Sequence, residues 1–210
     1  MTPHTTLAGK PGAGRIKDFI SNQSGVAAIE FVLLVPIMLG LYFMLNETSN
    51  GLRAARKTTM VARIMADLAT RPSNLSDADK NDIFASAGPI LSPFPANKGS
   101  YRLTSIRFDA TGKGFVDWSE VNGSGIGSAH ARCTPTETRP TQPGLVPLSV
   151  PAGLKVANTS VVLAEALVKY TPIVGYNITG EINLKDQLYM RPRTTDFVTR
   201  NGITGAACTY

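Results

Sequence analysis

The sequence predicts an α+β protein with a long N-terminal transmembrane helix that continues into an amphipathic helix packed on a small, mostly antiparallel sheet. Two observations favour this fold class. The segment Val26–Leu45 is an apolar run of 20 residues with a single charge, Glu30, which is about the length that a helix needs to cross the hydrocarbon core. The second half of the 210-residue chain contains several β-rich runs separated by turn-forming residues.

The apolar run is typical of a retained anchor rather than of a cleaved secretory signal. A secretory signal has a shorter apolar core that is followed by a small-residue cleavage site, whereas this run is followed by the polar residues 46–50. Pro36 lies inside it and should kink the helix, because proline removes a backbone donor. We therefore expect a transmembrane helix over residues 26–46 and an extracytoplasmic α+β head over residues 47–210.

The net charge of +6 does not indicate nucleic-acid binding, because the basic residues are scattered apart from two clusters that flank the apolar run. Such clusters suit lipid headgroups, which makes the lipid bilayer the expected partner. Because both flanks are basic, the positive-inside rule does not orient the span. The two clusters are Lys10, Arg15 and Lys17 before the run, and Arg53, Arg56, Lys57 and Arg63 after it.

Residues 51–70 have helical periodicity, with apolar positions at i, i+3, i+4 and i+7 from Val61. Either one long helix continues from the span, or two halves meet at a break near Asn50-Gly51; in both cases we expect the helix to end before Arg71-Pro72. Its apolar face should pack on the chain's own sheet, and contact with another subunit is the alternative.

The remaining elements follow from capping residues, turn residues and alternation. The run 159–170 is apolar on both faces and therefore predicts a central strand. In chain order we expect a helix from Ser76 to Ala87 ended by Gly88-Pro89, strands at Tyr101–Phe108 and Gly114–Trp118 joined by the turn 109–113, a long loop over 122–144, and strands at 145–150, 159–170 and 182–190.

Cysteines and histidines exclude the common zinc patterns. Cys133 and Cys208 form no CxxC pair, and the two histidines of the chain, His4 and His130, supply no second metal pair. In an exported domain the two cysteines could pair into one disulfide, and two independent thiols are the alternative. We expect His130 to be a solvated surface residue.

No motif in the sequence indicates catalysis, so we expect neither an enzyme nor a cofactor. The glycine-rich stretch 123–127 lacks the Lys-Ser/Thr of a phosphate-binding loop and is better explained as a flexible connector. The three acidic residues Asp77, Asp79 and Asp82 lack the glycine and terminal glutamate of a calcium loop, and are better explained as the acidic start of a helix.

The residues around Glu30 give it a second interpretation. Read alone, Glu30 lies near the end of the run and could snorkel to the interface. The stretch 24–31, which holds Gly25, Val26, Glu30 and Phe31, resembles the processing site of type IV prepilins, where a dedicated peptidase cuts after the glycine. The resemblance implies that residues 1–25 are a cytoplasmic basic leader that is removed. The new amine of Val26, protonated near neutral pH, would then neutralise Glu30 of a neighbouring subunit.

The second half of the chain adds to this resemblance. A strand that ends in Tyr170-Thr171-Pro172, and a later one that ends in Tyr189-Met190 followed by Arg191-Pro192-Arg193, are similar to the closing region of the TadE/TadG-like proteins of tight-adherence (Flp) pilus systems. The metal motif D-x-S-x-S of the longer members is missing, so the shorter, pseudopilin-like branch is the better match; the subtype stays open.

The resemblance implies a pilin-like fold and a minor pilin or pseudopilin that acts structurally in pilus assembly. The implied partners are the prepilin peptidase, other pilin or pseudopilin subunits and the inner-membrane assembly platform. The implied location is the bacterial inner membrane, with the N-terminus cytoplasmic and the head periplasmic, and the pilus after assembly. The alternative function is a membrane-tethered envelope binding protein that never enters a filament.

Overall fold

A computed structural model describes residues 24–136, 150–173 and 180–201, together with residue 208. The chain divides into two compact units, Met1–Asn46 and Glu47–Tyr210. Helix α1, Ser24–Ala69, contributes residues to both units, and its 46 residues include Pro36. Of the two arrangements left open by the sequence, the structure has the single helix, because α1 has no break at Asn50-Gly51. The helix ends at Ala69, before Arg71-Pro72 as predicted.

Within the second unit, small residues on one face of α1 allow the helix to approach the sheet closely. The buried positions recur every three or four residues, as helical periodicity requires. Val61 and Met65 are fully buried, and each contributes about 1.5–3 kcal/mol relative to an exposed side chain. The buried residues on this face are Ala54, Thr58, Val61, Ala62, Met65, Ala66 and Ala69.

A set of short elements connects α1 to the sheet. Strand β1 is Asn74–Leu75, α2 is Asp77–Ala85, α3 is Ala87–Leu91, and a 3-10 helix covers Ala96–Lys98. Ser76 caps α2 through a capping box with Asp79. The prediction that Gly88-Pro89 ends the helical segment is wrong: α2 ends at Ala85, and both residues lie inside α3, where proline is tolerated in the first turn because its missing N–H is not needed there.

The main sheet has four antiparallel strands in the order β3-β2-β4-β5. These are β2, Gly99–Phe108; β3, Gly114–Asn122; β4, Ser160–Tyr170; and β5, Ile182–Met190. The predicted positions of all four are confirmed, although β3 continues past Trp118, and β4 is central as its two-sided apolar pattern indicated. A sixth strand, β6 at Thr199–Arg200, pairs in parallel with β1 and was not predicted.

The turn between β2 and β3 matches the prediction for residues 109–113. The side chain of Asp109 accepts hydrogen bonds from the backbone N–H groups of Thr111 (2.8 Å) and Lys113 (2.9 Å). Gly112 has a φ of +81°, a conformation that glycine adopts without strain. Of the predicted strand at 145–150, residues 145–149 lie outside the described residues, and Val150 is not in a strand.

The two faces of the sheet carry separate apolar clusters. The face toward α1 includes Tyr101, Leu103, Trp118 and Val162. The opposite face holds a smaller cluster of Ile106, Phe108, Val116, Val150, Val161 and Leu163. The structure therefore has the α+β architecture that the sequence predicts, with a long apolar N-terminal helix and a small antiparallel sheet.

Candidate functional site

The first candidate site is the N-terminal part of α1, whose side chains are exposed. Its exposed apolar side chains range from 45% for Phe43 to 68% for Leu45. An 18-residue window of this helix has a mean hydropathy of 2.3, and none of it is buried. By length and composition this helix is able to cross a membrane.

The predicted processing residues Gly25, Val26, Glu30 and Phe31 lie together in the first two turns of α1. A Cβ atom added at Gly25 would meet nothing within 4 Å. Glycine costs a helix about 1 kcal/mol relative to alanine, so packing within the described residues does not explain why glycine stands here.

Glu30 is exposed among apolar side chains. Within the described part of the chain, no hydrogen bond or ion pair reaches its carboxylate. A carboxylate in apolar surroundings is costly unless it reaches the interface or gains a counter-charge, and the described residues supply no counter-charge for Glu30. The predicted partner, the amine of Val26 of a neighbouring subunit, stays a prediction.

The second candidate site is the Tyr170 clamp, which we define as Tyr170, Ile173 and Glu47. The Tyr170 hydroxyl, at the end of β4, donates a hydrogen bond to the carboxylate of Glu47 in α1. The backbone N–H of Ile173 donates to the other carboxylate oxygen at 3.1 Å. Burial and the hydrogen bond to Glu47 raise the pKa of Tyr170 to about 12, so the hydroxyl remains a donor at neutral pH.

The Arg193 clamp, comprising Arg193, Asp67 and Arg71, joins the chain just past β5 to the end of α1. The guanidinium of Arg193 pairs with Asp67, which also pairs with Arg71 at 2.5 Å. The backbone N–H of Arg193 donates to the carbonyl of Thr70 at 3.2 Å. The hydrogen bond from Arg71, together with Arg193 beside it, holds the pKa of Asp67 below its usual value.

The two clamps give a structural role to Tyr170, at the end of β4, and to Arg193, just past the end of β5. β4 and β5 are antiparallel, so their C-terminal ends lie at opposite ends of the sheet. Glu47 and Asp67 are 20 residues apart in α1, a helical rise of about 30 Å. Each strand end therefore binds a different end of the helix segment that covers the sheet.

A buried charge cluster on the other face of the sheet was missed by the sequence analysis. Arg102 in β2 and Glu165 in β4 are directly opposite each other and form a bidentate pair, with two N···O distances of 2.7 Å. Their side chains are 0% and 6% exposed. The signal in the sequence was a single glutamate within an otherwise apolar strand.

His130 lies beside this pair, so the prediction of a solvated surface histidine is wrong. Its side chain is 7% exposed, and Nε2 lies 3.9 Å from a carboxylate oxygen of Glu165. Burial raises the pKa of Glu165, but the neighbouring His130 and the two Arg102 donors more than offset this and leave the pKa below its usual value. Glu165 is therefore ionised at neutral pH beside the Arg102 guanidinium.

The loop that carries His130 closes over Arg102. The carbonyls of Ile126 and Ser128 accept from Arg102 Nη1 at 3.2 and 3.1 Å. Gly123, which we predicted to belong to a flexible connector, has a φ of +88° and lies so close to Ser100 that a Cβ would stand 2.7 Å from its hydroxyl. The glycine here allows a close backbone approach.

The structure joins Cys133 and Cys208 by a disulfide with a Cα–Cα distance of 5.3 Å. Cys133 follows the loop over Arg102, and its N–H donates to Val116 in β3 at 2.8 Å. The hydrogen bond to Val116 therefore fixes the end of this loop to the edge of the sheet, and the disulfide joins the same residue to Cys208.

The acidic residues Asp77 and Asp79 have structural partners. Asp77 pairs with Arg200 and Lys80, and Asp79 completes the capping box of α2. Among the described residues, no group of three histidine, cysteine or acidic side chains is placed to hold a metal ion.

No protein-family model, curated protein or solved structure matches this chain.

Proposed function

We propose that this chain is a membrane-held minor pilin or pseudopilin that acts structurally in the assembly of a tight-adherence (Flp) pilus. The observation that carries the proposal is Glu30, an exposed carboxylate in an apolar helix with no partner among the described residues. It would stand fifth in the mature chain if cleavage follows Gly25, a glycine that packing does not explain.

The physical role of the apolar part of α1 is then to pack against the same helix of other subunits. Before assembly, lipid covers its exposed side chains, with the N-terminus in the cytoplasm and the head in the periplasm. In the filament, an ion pair between Glu30 and the amine of a neighbouring Val26 would favour one register, because a misplaced pair leaves both charges unpaired in apolar surroundings.

The two clamps support a pilin-like head. They fix the sheet along the second half of α1, so this half of the helix and the sheet belong to one folded unit. The clamp sequences are those that resemble the TadE/TadG-like proteins, and in this chain they do structural work that such a subunit needs.

The first test is N-terminal sequencing of the mature chain from cells that contain a prepilin peptidase. We expect wild type to begin at Val26. We expect Gly25→Ala to block processing, because the part of the peptidase site that accepts glycine would have to accommodate an added methyl group. Gly40→Ala is the matched control: a Cβ at Gly40 also meets nothing within 4 Å. A wild-type chain that still begins at Met1 would favour the tethered envelope protein instead.

A further inference from the structure

The head part of α1 exposes a face that combines positive charge with large apolar side chains. Leu52 is 53% exposed and Met60 is 51% exposed. The three arginines between and beside them are exposed, and no ion pair is formed by them within the described part of the chain. We call this set the outer stripe: Leu52, Arg53, Arg56, Met60 and Arg63.

Helical spacing places the outer stripe away from the sheet. Residues 52, 56, 60 and 63 follow one another at intervals of four, four and three, so they share one face of α1. The face that carries Ala54, Thr58 and Val61 is buried against the sheet. The outer stripe is therefore available to a partner along about 17 Å of helix.

A second feature of the head has the complementary chemistry. A groove of about 470 Å³ lies between the end of α1 and α2. Its apolar lining is Leu68, Pro72 and Ile83, and its acidic residues are Asp79 and Asp82. We call it the acidic groove.

The charge of the acidic groove is negative at neutral pH. Arg71 also lines it and shares Asp67 with Arg193, so the lining carries two carboxylates, Asp79 and Asp82, against one guanidinium. The hydrogen bonds from Ser76 hold the pKa of Asp79 below its usual value. Asp82 has no side-chain partner among the described residues, so its charge is available to a ligand.

The two surfaces fit each other but cannot meet within one chain. From Arg56 to Leu68 the helix advances 12 residues, about 18 Å, and both surfaces belong to the same rigid segment. Two outer stripes that faced each other would juxtapose their arginines, which is unfavourable.

We propose that copies of this chain associate head to tail, the outer stripe of one copy lying in the acidic groove of the next. Because the two surfaces differ, the contact is heterologous, and it builds an open chain of subunits unless the rotation from copy to copy closes a ring. This deepens the proposed function and rests on it for its purpose, but it is measured without a peptidase or a pilus.

The test uses charge reversal on the purified full-length chain in detergent, with self-association followed by sedimentation velocity. We expect Arg56→Glu and Asp82→Lys each to weaken association at least about tenfold, because each places like charges across the contact. The double variant, and an equimolar mixture of the two single variants, should associate as wild type does. Lys155→Glu, an exposed charge change outside both surfaces, should leave association unchanged.

Three results would overturn the proposal. Stronger association of Arg56→Glu would mean that outer stripes face each other. Single variants that associate like wild type would mean that neither surface is used. Loss of binding of Arg56→Glu alone to vesicles with anionic lipid, with self-association unchanged, would assign the stripe to a lipid surface. None of these results would affect the Gly25 test.

Discussion

At the scale of single residues, two carboxylates in apolar surroundings differ in whether the described residues supply a counter-charge. Glu165 finds Arg102 within its own sheet, at 2.7 Å. Glu30 finds no partner among the described residues. The charge of Glu165 is satisfied inside the fold, whereas the described residues leave Glu30 without a counter-charge, which is the observation behind the proposed ion pair with Val26.

Replacing Glu30 should therefore affect assembly and not insertion. We expect Glu30→Ala to enter the membrane as wild type does, because removing a charge only favours insertion, and to reduce piliation strongly in cells. Membrane fractionation and electron microscopy of surface pili measure the two effects. Glu30→Asp keeps the charge and serves as the control. Normal piliation by Glu30→Ala would exclude the ion pair with Val26.

Breaking the Arg102–Glu165 pair should destabilise the head. Arg102→Met and Glu165→Leu each leave the other charge buried and unpaired, at a cost of about 3–5 kcal/mol. Denaturant unfolding of the detergent-solubilised chain measures this. The double variant Arg102→Met/Glu165→Leu removes both charges, so its loss of unfolding free energy should be much smaller than the sum of the losses of the two single variants. A loss equal to that sum would show that the pair is not coupled.

The contribution of the same pair to the unfolding free energy depends on pH. The folded pKa of Glu165 lies below its unfolded value of 4.5, so the pair contributes fully above pH 4.5 and its contribution is lost as the pH falls through the folded pKa. Glu165→Gln should therefore flatten the decline of unfolding free energy below pH 4.5. A decline as steep as that of wild type would assign it to other carboxylates.

At the scale of elements, the sequence predicted the long helix and the long strands, whose residue patterns extend over many positions. The second half of α1 and strand β5 were placed by a period of 3.6 or 2. Strand β4 was placed by an apolar run on both faces, and β2 by the turn that follows it. Strands β1 and β6 are two residues each and carry no period. The pairing of Arg102 with Glu165 depends on strand register, which joins residues 63 positions apart and cannot be deduced from either strand alone.

The Tyr170 clamp can be tested against a tyrosine without a partner. Tyr170→Phe removes the hydrogen bond to Glu47 and should lower the unfolding free energy by about 1.5 kcal/mol, because the acceptor is charged. The hydroxyl of Tyr101 is buried with no hydrogen-bond partner in the described structure. Tyr101→Phe should therefore be neutral or stabilising. Equal destabilisation by both substitutions in chemical unfolding would contradict the clamp.

At the scale of the whole molecule, the sequence indicated an apolar helix and a head joined near residue 46, and the structure has one apolar helix and an α+β unit from Glu47 onward. Composition could not reveal the loop closed over Arg102. The geometry of that loop depends on the positive φ angles of Gly123 and Gly127, which cannot be deduced from the composition of a long polar loop.

Reduction of the disulfide should loosen the second unit as a whole. The Cys133–Cys208 bond spans 75 residues, and a cross-link of this span typically contributes about 2–4 kcal/mol by restricting the unfolded chain. We expect the unfolding midpoint to fall when the chain is reduced, and Cys133→Ser/Cys208→Ser to show the same midpoint with or without reductant. Two free thiols in non-reducing peptide mapping of wild type would rule the bond out.

The position of Cys133 also orders the events of biosynthesis. Strands β4 and β5 lie between the two cysteines in the chain, so the ring cannot close until both strands have been synthesised. The sequence contains no third cysteine, so an oxidised monomer has one way to pair and needs no isomerase to correct it. A chain that stops before residue 208 therefore cannot form this bond and keeps Cys133 as a thiol.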